Sequence, residues 1–347
     1  MKKFLSIALA LLMVCVMLPV VALAAEKTAL TYEELESAIS TANDGDTIKL
    51  LADIDLSQTI TVNKTITLNM NGKKLYNTSD LWDKPTAEAG NWSLISVRGS
   101  GNLTITGNGT FAAKENDCYA VDVKESATVT IKNGTFIGNV HAVYVLTGTA
   151  NVEGGTYSVQ QKYPDPAKAD EFVLNCYDAH HKDGTARINV TGGTFKNFNP
   201  ADNKAEGKGN NFADNSLVVQ KNNTVQNNDF YVGNAANEVI AAASKGEEIF
   251  VLNGTTLTNV PAGVIIQNRT GDRITVNGKD VELTGDAGYT VPASNITIIV
   301  PGDTTPAETP KTEDQKNPTT GANDFVGLAA AAAVVALLGS AVVLRKK

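Results

Sequence analysis

The chain has 347 residues, with 37 acidic and 29 basic side chains and a formal net charge of −8. An acidic balance of this kind argues against nucleic acid or an anionic membrane surface as a partner, because both would repel it. The length is sufficient to bury a hydrophobic core without the help of disulfide bonds.

The first 24 residues have the pattern of a secretory signal peptide. Two lysines precede an apolar stretch over residues 4–21, and an Ala-Leu-Ala triplet ends at Ala24. A basic start, an apolar segment and small residues before the cut are the features that signal peptidase recognises. We therefore predict a signal peptide over 1–24, cleavage between Ala24 and Ala25, and export of the rest of the chain.

The exported chain is predicted to begin with a short amphipathic helix. Thr31 and Glu34 have the spacing of a capping box, and Leu30 and Leu35 have the spacing of a hydrophobic staple. Apolar residues recur at helical spacing from Leu35 to Ala42. Such a helix would cover the open end of a stack of strands, whose bare backbone edges otherwise promote aggregation.

Four related phrases follow the helix. Each has alternating apolar residues typical of a half-buried strand, then a glycine-containing turn, then threonine and an aromatic residue. The phrases occupy 103–111, 129–136, 150–157 and 188–195. A further strand is predicted before each phrase at 94–97, 120–123, 142–145 and 172–175, with 217–219 as a degraded fifth copy and a third short side in each unit. Units of this size cannot bury their faces alone, so they are expected to stack.

The spacing between phrases varies, which a stack of parallel strands tolerates because only its strands must stay in register. The phrases resemble those of right-handed parallel β-helix (pectin-lyase-like) surface proteins, and the resemblance covers roughly residues 45–235. It implies an all-β fold: a right-handed parallel β-helix solenoid over 25–235, including the N-terminal capping helix. The glycines are interpreted as positive-φ corner residues and not as a ligand-binding signal.

The last third of the exported chain is predicted to contain two different segments. Residues 236–300 repeat the order of a helix followed by strands, and they form either a second short coil stack or a C-terminal cap. Residues 301–316 contain mostly Pro, Thr, Asp, Glu and Lys, which predicts an extended stalk.

The end of the chain combines three features in a fixed order. An uncharged apolar run over 325–344 precedes a basic tail at 345–347, and 20 helical residues are long enough to span a bilayer core of roughly 30 Å. The tail would stay in the cytoplasm by the positive-inside rule. A short motif stands before the span: Asn317, Pro318, Thr319, Thr320 and Gly321.

This order, 317–347, resembles the cell-wall sorting signal of Gram-positive surface proteins of the LPxTG or NPxTG type. The resemblance implies that a sortase cuts between Thr320 and Gly321 and joins Thr320 to the peptidoglycan cross-bridge. It also implies a secreted protein that spans the membrane before sorting and is then anchored on the outer surface of the wall. Asn317 stands where the commoner motif has leucine, which leaves the class of sortase open.

The strongest candidate ligand contact in the sequence is an acid beside an aromatic residue. Asp122 is predicted to point outward between the inward Val121 and Val123, and Tyr144 occupies the equivalent position one coil later. Such a pair on a flat face would form a platform for a polysaccharide or host glycan. The alternative is an ordinary solvated sheet face.

Other polar groups have simpler interpretations. Asp178 and His180 would share a face if their segment were extended, but a polar loop is the favoured alternative. Lys132 and Glu153 fall at equivalent positions on adjacent coils and are expected to form a charge pair. No spacing typical of a zinc site or of a calcium-binding repeat occurs, so no cofactor is predicted; Ca²⁺ stays an alternative that no motif supports.

The two cysteines of the exported chain, Cys118 and Cys176, are predicted to lie two coils apart. That separation is about 9.6 Å, which is beyond the reach of a disulfide bond. We therefore predict two free and mostly buried thiols.

These patterns support three hypotheses of function. The preferred one is a non-catalytic adhesin or glycan-binding protein anchored to the wall, because no catalytic set of residues is evident. The second is a β-helix polysaccharide lyase or glycoside hydrolase, which would need outward carboxylates about 5–9 Å apart. The third is a structural spacer of the cell envelope, with neither aromatic groove nor paired acids.

Overall fold

The computed structural model describes residues 24–81, 92–115, 118–161, 172–201, 212–213, 217–224, 227–282 and 288–293. All of them belong to one compact unit, Met1–Asn295. The predicted signal peptide up to residue 23, the stalk and the sorting signal lie outside these ranges. Within the ranges, no helix is long and apolar enough to cross a membrane; the predicted span at 325–344 is not among the described residues.

The described chain starts with a strand that the sequence pattern did not predict. Strand β1 (Glu26–Ala29) precedes helix α1 (Tyr32–Ser40), and β1 pairs in parallel with β2 (Thr47–Leu50). Helix α1 packs on these two strands through a buried stripe that includes Leu35. A short strand β3 (Ile54–Asp55) follows.

The start of α1 confirms Thr31 as the N-cap but not the second hydrogen bond of the predicted capping box. The Thr31 hydroxyl accepts a hydrogen bond from the Glu34 backbone N–H at 3.3 Å, which makes Thr31 the N-cap. The Glu34 carboxylate accepts a hydrogen bond from the Leu30 N–H at 2.8 Å, one residue before the position that a capping box uses. Leu35 is fully buried whereas Leu30 is half exposed, and the hydrophobic staple between them stays a prediction.

Five three-strand repeats follow in chain order. The first three are β4 (Ile60–Val62), β5 (Thr65–Asn69) and β6 (Lys74–Tyr76); β7 (Ser93–Val97), β8 (Asn102–Thr106) and β9 (Thr110–Ala112); β10 (Tyr119–Val123), β11 (Thr128–Ile131) and β12 (Thr135–Gly138). The last two are β13 (Val143–Val145), β14 (Gly148–Val152) and β15 (Thr156–Val159); β16 (Leu174–Cys176), the short helix α2 (Asp178–Asp183), β17 (Ala186–Val190) and β18 (Gly193–Lys196). In the last four repeats the predicted third side is therefore the strand that carries the Thr-aromatic pair.

Each repeat contributes one strand to each of three sheets. The five-stranded sheet contains β4, β7, β10, β13 and β16 in spatial order, and all of its pairs are parallel. The second strands extend an eight-stranded sheet that begins with β1 and β2, and the third strands extend an eleven-stranded sheet that begins with β3. The chain is thus mostly β, with parallel sheets and three short helices among the described residues.

The core between the sheets contains a ladder of aromatic rings. Phe111, Phe136, Tyr157 and Phe195 occupy aligned positions in consecutive strands of the eleven-stranded sheet, and all four are fully buried. Neighbouring rings stack with centroids 4.7–5.1 Å apart and planes within 11–12° of parallel. The parallel register repeats the same side chain at each level, so the aromatic residue of each sequence phrase stacks on the next.

The three-strand repeats end after β18. Strand β19 (Phe212–Ala213) adds an edge to the eight-stranded sheet, and β20 (Val218–Thr224) and β21 (Asn227–Val232) form an antiparallel pair. Because β21 also pairs antiparallel with β18, the interpretation of residues 217–219 as a fifth copy of the repeat was wrong. Helix α3 (Asn234–Ala241) comes next.

The remaining strands pack around a second hydrophobic core, whose members include Ile240, Val251 and Ile266. Strand β22 (Glu248–Asn253) pairs with β20, so this segment continues the eleven-stranded sheet. The other strands are β23 (Thr256–Leu257), β24 (Ile265–Asn268), β25 (Ile274–Val276), β26 (Lys279–Val281) and β27 (Tyr289–Thr290).

Candidate functional site

The outer side of the five-stranded sheet carries the predicted ligand contacts. Asp122 in β10 is directly beside Tyr144 in β13, as the sequence spacing predicted. Ser96 in β7 and Asn175 in β16 continue the same row on either side. Successive strands of a parallel sheet in register bring equivalent residues together, so this row is a consequence of the repeat.

Neither Asp122 nor Tyr144 is available to a ligand on an open face. Asp122 has no exposed surface and Tyr144 is 7 % exposed. Tyr144 packs against Tyr119 with ring centroids 5.2 Å apart, and Trp92 extends this cluster. The alternation of a strand determines the side of the sheet on which a residue lies, but not whether neighbouring side chains then cover it. The predicted open platform was therefore wrong.

Asp122 instead forms a buried ion pair. Its Oδ2 lies 3.1 Å from Nζ of Lys124, two residues along the same strand face, and the Lys124 side chain is 2 % exposed. Burial raises the pKa of the Asp122 carboxyl, while Lys124, Ser96 and Arg98 act in the opposite direction.

His141 belongs to the same buried layer. Its ring stacks on Tyr144 with centroids 5.4 Å apart, and its Nδ1 lies 2.9 Å from the Phe172 carbonyl oxygen. A carbonyl can only accept, so Nδ1 carries the proton and donates it, which leaves Nε2 to accept from the Asn175 amide at 3.5 Å. Burial lowers the pKa of His141 to about 4. The residue is therefore a neutral packing element at pH 7.

The two cysteines are free and buried, as predicted. Cys118 precedes β10 and Cys176 ends β16, with β13 between these strands. Burial raises the pKa of each thiol to about 12. Both thiols are thus protonated at neutral pH, and neither has the character of a nucleophile.

The histidine segment after β16 forms the helix α2, and it is neither an extended face nor a loop. His180 Nδ1 lies 2.7 Å from the Leu146 carbonyl oxygen, so the ring is held against the neighbouring repeat. Among the described residues, no group of three or more His, Cys, Asp or Glu side chains is placed to hold a metal ion.

An open groove of about 750 Å³ lies at the corner between the eight-stranded and eleven-stranded sheets. We call it the corner groove. Three threonines at the start of consecutive strands form a row along it: Thr135, Thr156 and Thr194. Charged side chains complete the lining at its edges: Lys132, Glu153 and, from α3, Glu238.

Glycines at each corner allow the groove to form. Gly134, Gly155 and Gly193 have φ of +115°, +99° and +118°, which favours residues without a Cβ. A Cβ on Gly155 would also lie 2.9 Å from the Gly134 carbonyl oxygen of the preceding repeat. The prediction that these glycines are positive-φ corner residues is confirmed, and the same corners line the groove.

The charges of the groove are accessible to solvent. Lys132 Nζ lies 3.3 Å from Glu153 Oε2, which confirms the predicted charge pair, and both side chains are about half exposed. Glu238 adds a second carboxylate from a different element. Strands about 4.8 Å apart give the four repeats that line the groove a length of about 14 Å. A linear ligand along the groove would meet one corner per repeat and a threonine hydroxyl in three of the four repeats.

The sequence analysis identified the repeated phrases that line this groove, but it did not predict that they form a groove. The Gly-Gly-Thr phrases are evident in the sequence, but the concave shape depends on the stacking of repeats and on α3, which lies far along the chain from β12.

The predicted sorting motif lies outside the described residues, while Ala24 and Ala25 are described and exposed. No family model, curated protein or solved structure matches this chain, so its function is inferred from its own residues.

Proposed function

We propose that this chain is a cell-wall-anchored surface protein of a Gram-positive bacterium that binds a glycan in the corner groove without catalysis. The observation that carries the proposal is the groove itself: an open, polar channel whose lining repeats with the strands. Its volume of about 750 Å³ is in the range of small-molecule and cofactor sites, roughly 300–1,000 Å³.

The chemistry of the lining favours a polyhydroxylated ligand. Thr135, Thr156 and Thr194 each offer a hydroxyl that both donates and accepts, and the Lys132–Glu153 pair offers donors and acceptors at the rim. Sugars present the same kind of groups at regular intervals along a chain. A ligand bound in this way would exchange hydrogen bonds with water for hydrogen bonds with the groove.

The proposed fold is a right-handed parallel β-helix. Its support is the order in which the chain enters the three sheets: from β2 to β18 each strand belongs to a different sheet from the one before, in a fixed cycle. The parallel register between repeats and the aromatic ladder are consistent with that proposal. The sequence resemblance to pectin-lyase-like surface proteins adds to it.

The proposed location depends on the two ends of the sequence. The signal peptide pattern over 1–24 would export the chain, and the motif with Thr320 and Gly321 would attach it to the peptidoglycan cross-bridge through a sortase. A groove-bearing domain outside the cell and fixed to the wall has access to polysaccharides of the wall, of a host or of the surroundings.

Binding to a panel of soluble polysaccharides tests the proposal. Purified residues 25–300 are incubated with neutral, acidic and mucin-type glycans, and both retention and release of reducing or unsaturated ends are measured. We expect retention without release. Thr156→Val, which removes the central hydroxyl of the row, should weaken binding about 2- to 10-fold, the value of one hydrogen bond.

Thr104→Val is the matched control for that variant. Thr104 lies at a half-buried outward position of β8 and does not line the groove, so its loss should leave retention unchanged. Equal weakening of binding by both variants would show that the glycan does not bind in the corner groove. A failure of every glycan to bind would favour the structural spacer.

A polysaccharide-cleaving enzyme is the second candidate, and one observation favours it. Glu153 and Glu238 place two carboxylates on the same groove, and glycoside hydrolases use a pair of carboxyl groups on either side of the bond that they cleave. Release of ends that is lost in both Glu153→Gln and Glu238→Gln would establish this alternative in place of simple binding.

A further inference from the structure

Asp46 has a buried carboxylate whose hydrogen bonds do not belong to the strand pairing of the repeats. Its carboxylate is almost fully buried, with 2 % of the residue exposed, in the turn between α1 and β2. Asp46 Oδ1 accepts a hydrogen bond from the Ala25 backbone N–H at 2.8 Å, and Oδ2 accepts one from the Asn43 N–H at 2.9 Å. One of the two oxygens is therefore directed at the nitrogen of Ala25.

That nitrogen lies at the predicted signal peptidase cut. The Ala25 carbonyl accepts a hydrogen bond from the Thr47 N–H at 2.8 Å, and the next residue, Glu26, is in register with Thr47. Ala25 is thus held on both sides of its backbone, by a carboxylate and by strand pairing. Ala24, before the cut, is exposed.

We propose that Asp46 is the receptor for the new N-terminus of the exported chain. Hydrolysis of the Ala24–Ala25 peptide bond by signal peptidase consumes one water molecule. Ala24 leaves with the leader as a carboxylate, and the Ala25 nitrogen becomes an α-ammonium group. The neutral N–H donor at 2.8 Å from Asp46 Oδ1 is thereby replaced by a charged donor, and the contact becomes an ion pair.

The surroundings of Asp46 suit this role. The hydrogen bonds from Ala25 and Asn43 lower the pKa of the Asp46 carboxyl, and Lys27 and Lys64 act in the same direction, so the carboxylate is ionised at neutral pH. The nearby Asp44 has a different partner, the Thr65 N–H at 3.0 Å.

Processing would therefore strengthen the first strand of the fold. Before the cut the bond already has an ionised acceptor, and the cut adds a charged donor, so a Coulomb attraction between opposite charges is added to the hydrogen bond. The pair holds the residue before β1, and β1 is the edge of the eight-stranded sheet. The inference depends on the predicted position of the cut and is independent of the glycan proposal.

Two versions of the chain test the pairing. The chain from Ala25 to Lys347 is prepared in detergent with a free amine at Ala25, or with Leu23 and Ala24 retained in front of it. We expect the free-amine version to have the higher Tm, by on the order of 2 °C. Asp46→Asn should abolish the difference between the two versions. Asp44→Asn, the control from the same turn, should preserve it.

A second measurement does not depend on any variant. NMR titration of the Ala25 α-amine should give a pKa above the roughly 7.7–8.0 of a free N-terminus, because the ion pair favours the charged form. A raised folded pKa means that the added stability is complete below pH of about 7.7 and is lost as the pH rises through the folded value. Equal Tm for the two versions, an unraised pKa, or an exported protein that begins at another residue would each overturn the proposal.

Discussion

Asp122 and Lys124 form an ion pair that is almost completely removed from water. Transfer of two charges from water into a protein interior costs several kcal/mol per ion, and their attraction offsets that cost only while both are present. The pair is therefore a point at which a single substitution has a large effect. If Asp122 were exposed on the outer side of the five-stranded sheet, its substitution would be expected to have little effect on stability.

Replacement of one partner is expected to destabilise the fold. Asp122→Ala leaves a buried ammonium without the carboxylate beside it and should lower the free energy of unfolding by about 3 kcal/mol. Denaturant unfolding of the variant measures the loss. Glu153→Ala removes one partner of a half-exposed pair and should cost less than about 1 kcal/mol. Similar losses for both variants would contradict the burial of Asp122.

His141 gives the fold a defined response to acid. Its folded pKa is about 4, whereas an unfolded histidine titrates near pH 6.5. Between these values the unfolded chain binds more protons, so the stability contributed by neutral His141 is complete above pH 6.5 and is lost as the pH falls towards 4. The total loss corresponds to about 3 kcal/mol, at 1.36 kcal/mol per unit of pKa.

A pH series of unfolding measurements on the wild type and His141→Gln tests this response. The free energy of unfolding of the variant should fall less than that of the wild type between pH 6.5 and 4. The carboxylates titrate in both proteins and cancel in the difference. Parallel curves over that range would show that His141 is not a buried neutral residue.

At the scale of elements, the positions of most repeat strands were predictable from the sequence, but strands that depend on their partner for order or direction were not. Strands β7 and β10 each begin one residue before the predicted segments 94–97 and 120–123 and end with them. The agreement is close because alternation of apolar residues is a local signal. Strand β1 was missed because Glu26–Ala29 has little apolar content and is ordered by pairing with β2. The antiparallel β20–β21 pair was also missed, since strand direction is a property of the partner strand.

Gly155 lies at the corner between β14 and β15, and Gly246 lies in the turn between α3 and β22. Alanine substitutions at these two positions separate the cost of a positive φ from the cost of a contact between repeats. Gly155 and Gly246 have φ of +99° and +86°. A Cβ on Gly155 would meet the Gly134 carbonyl at 2.9 Å, whereas one on Gly246 would meet nothing within 4 Å. Gly246→Ala should cost about 1–2 kcal/mol from φ alone. Gly155→Ala should cost more, and equal losses in thermal unfolding would rule out the contact between repeats.

At the scale of the whole molecule, the proposed site and the proposed location come from different parts of the chain. The corner groove is lined by residues from four repeats together with α3. The proposed anchor belongs to residues 317–347, outside the described ranges, and depends on a linear motif that a sortase would recognise. The two proposals can therefore fail independently.

The anchoring proposal is tested by Thr320→Ala in the full chain, expressed in a Gram-positive host. Loss of the motif threonine should stop transfer to peptidoglycan, so the protein should move from the wall fraction to the membrane fraction. Ser40→Ala, on the described domain far from the motif in sequence, serves as the control and should stay with the wall. Wall-bound protein in the Thr320→Ala strain would contradict the sortase proposal.

The sequence by itself determined the β class, the positions of most repeat strands, the register of Asp122 beside Tyr144, the Lys132–Glu153 pair and the free thiols. These follow from local periodicity and from the related phrases of the repeats, which place like residues at like positions. Tertiary structure decided the burial of Asp122 and the concave corner lined by Thr156, because both depend on what other repeats and α3 place against a strand. It also brought the Ala25 nitrogen to Asp46, a contact across 21 residues that no periodic pattern encodes.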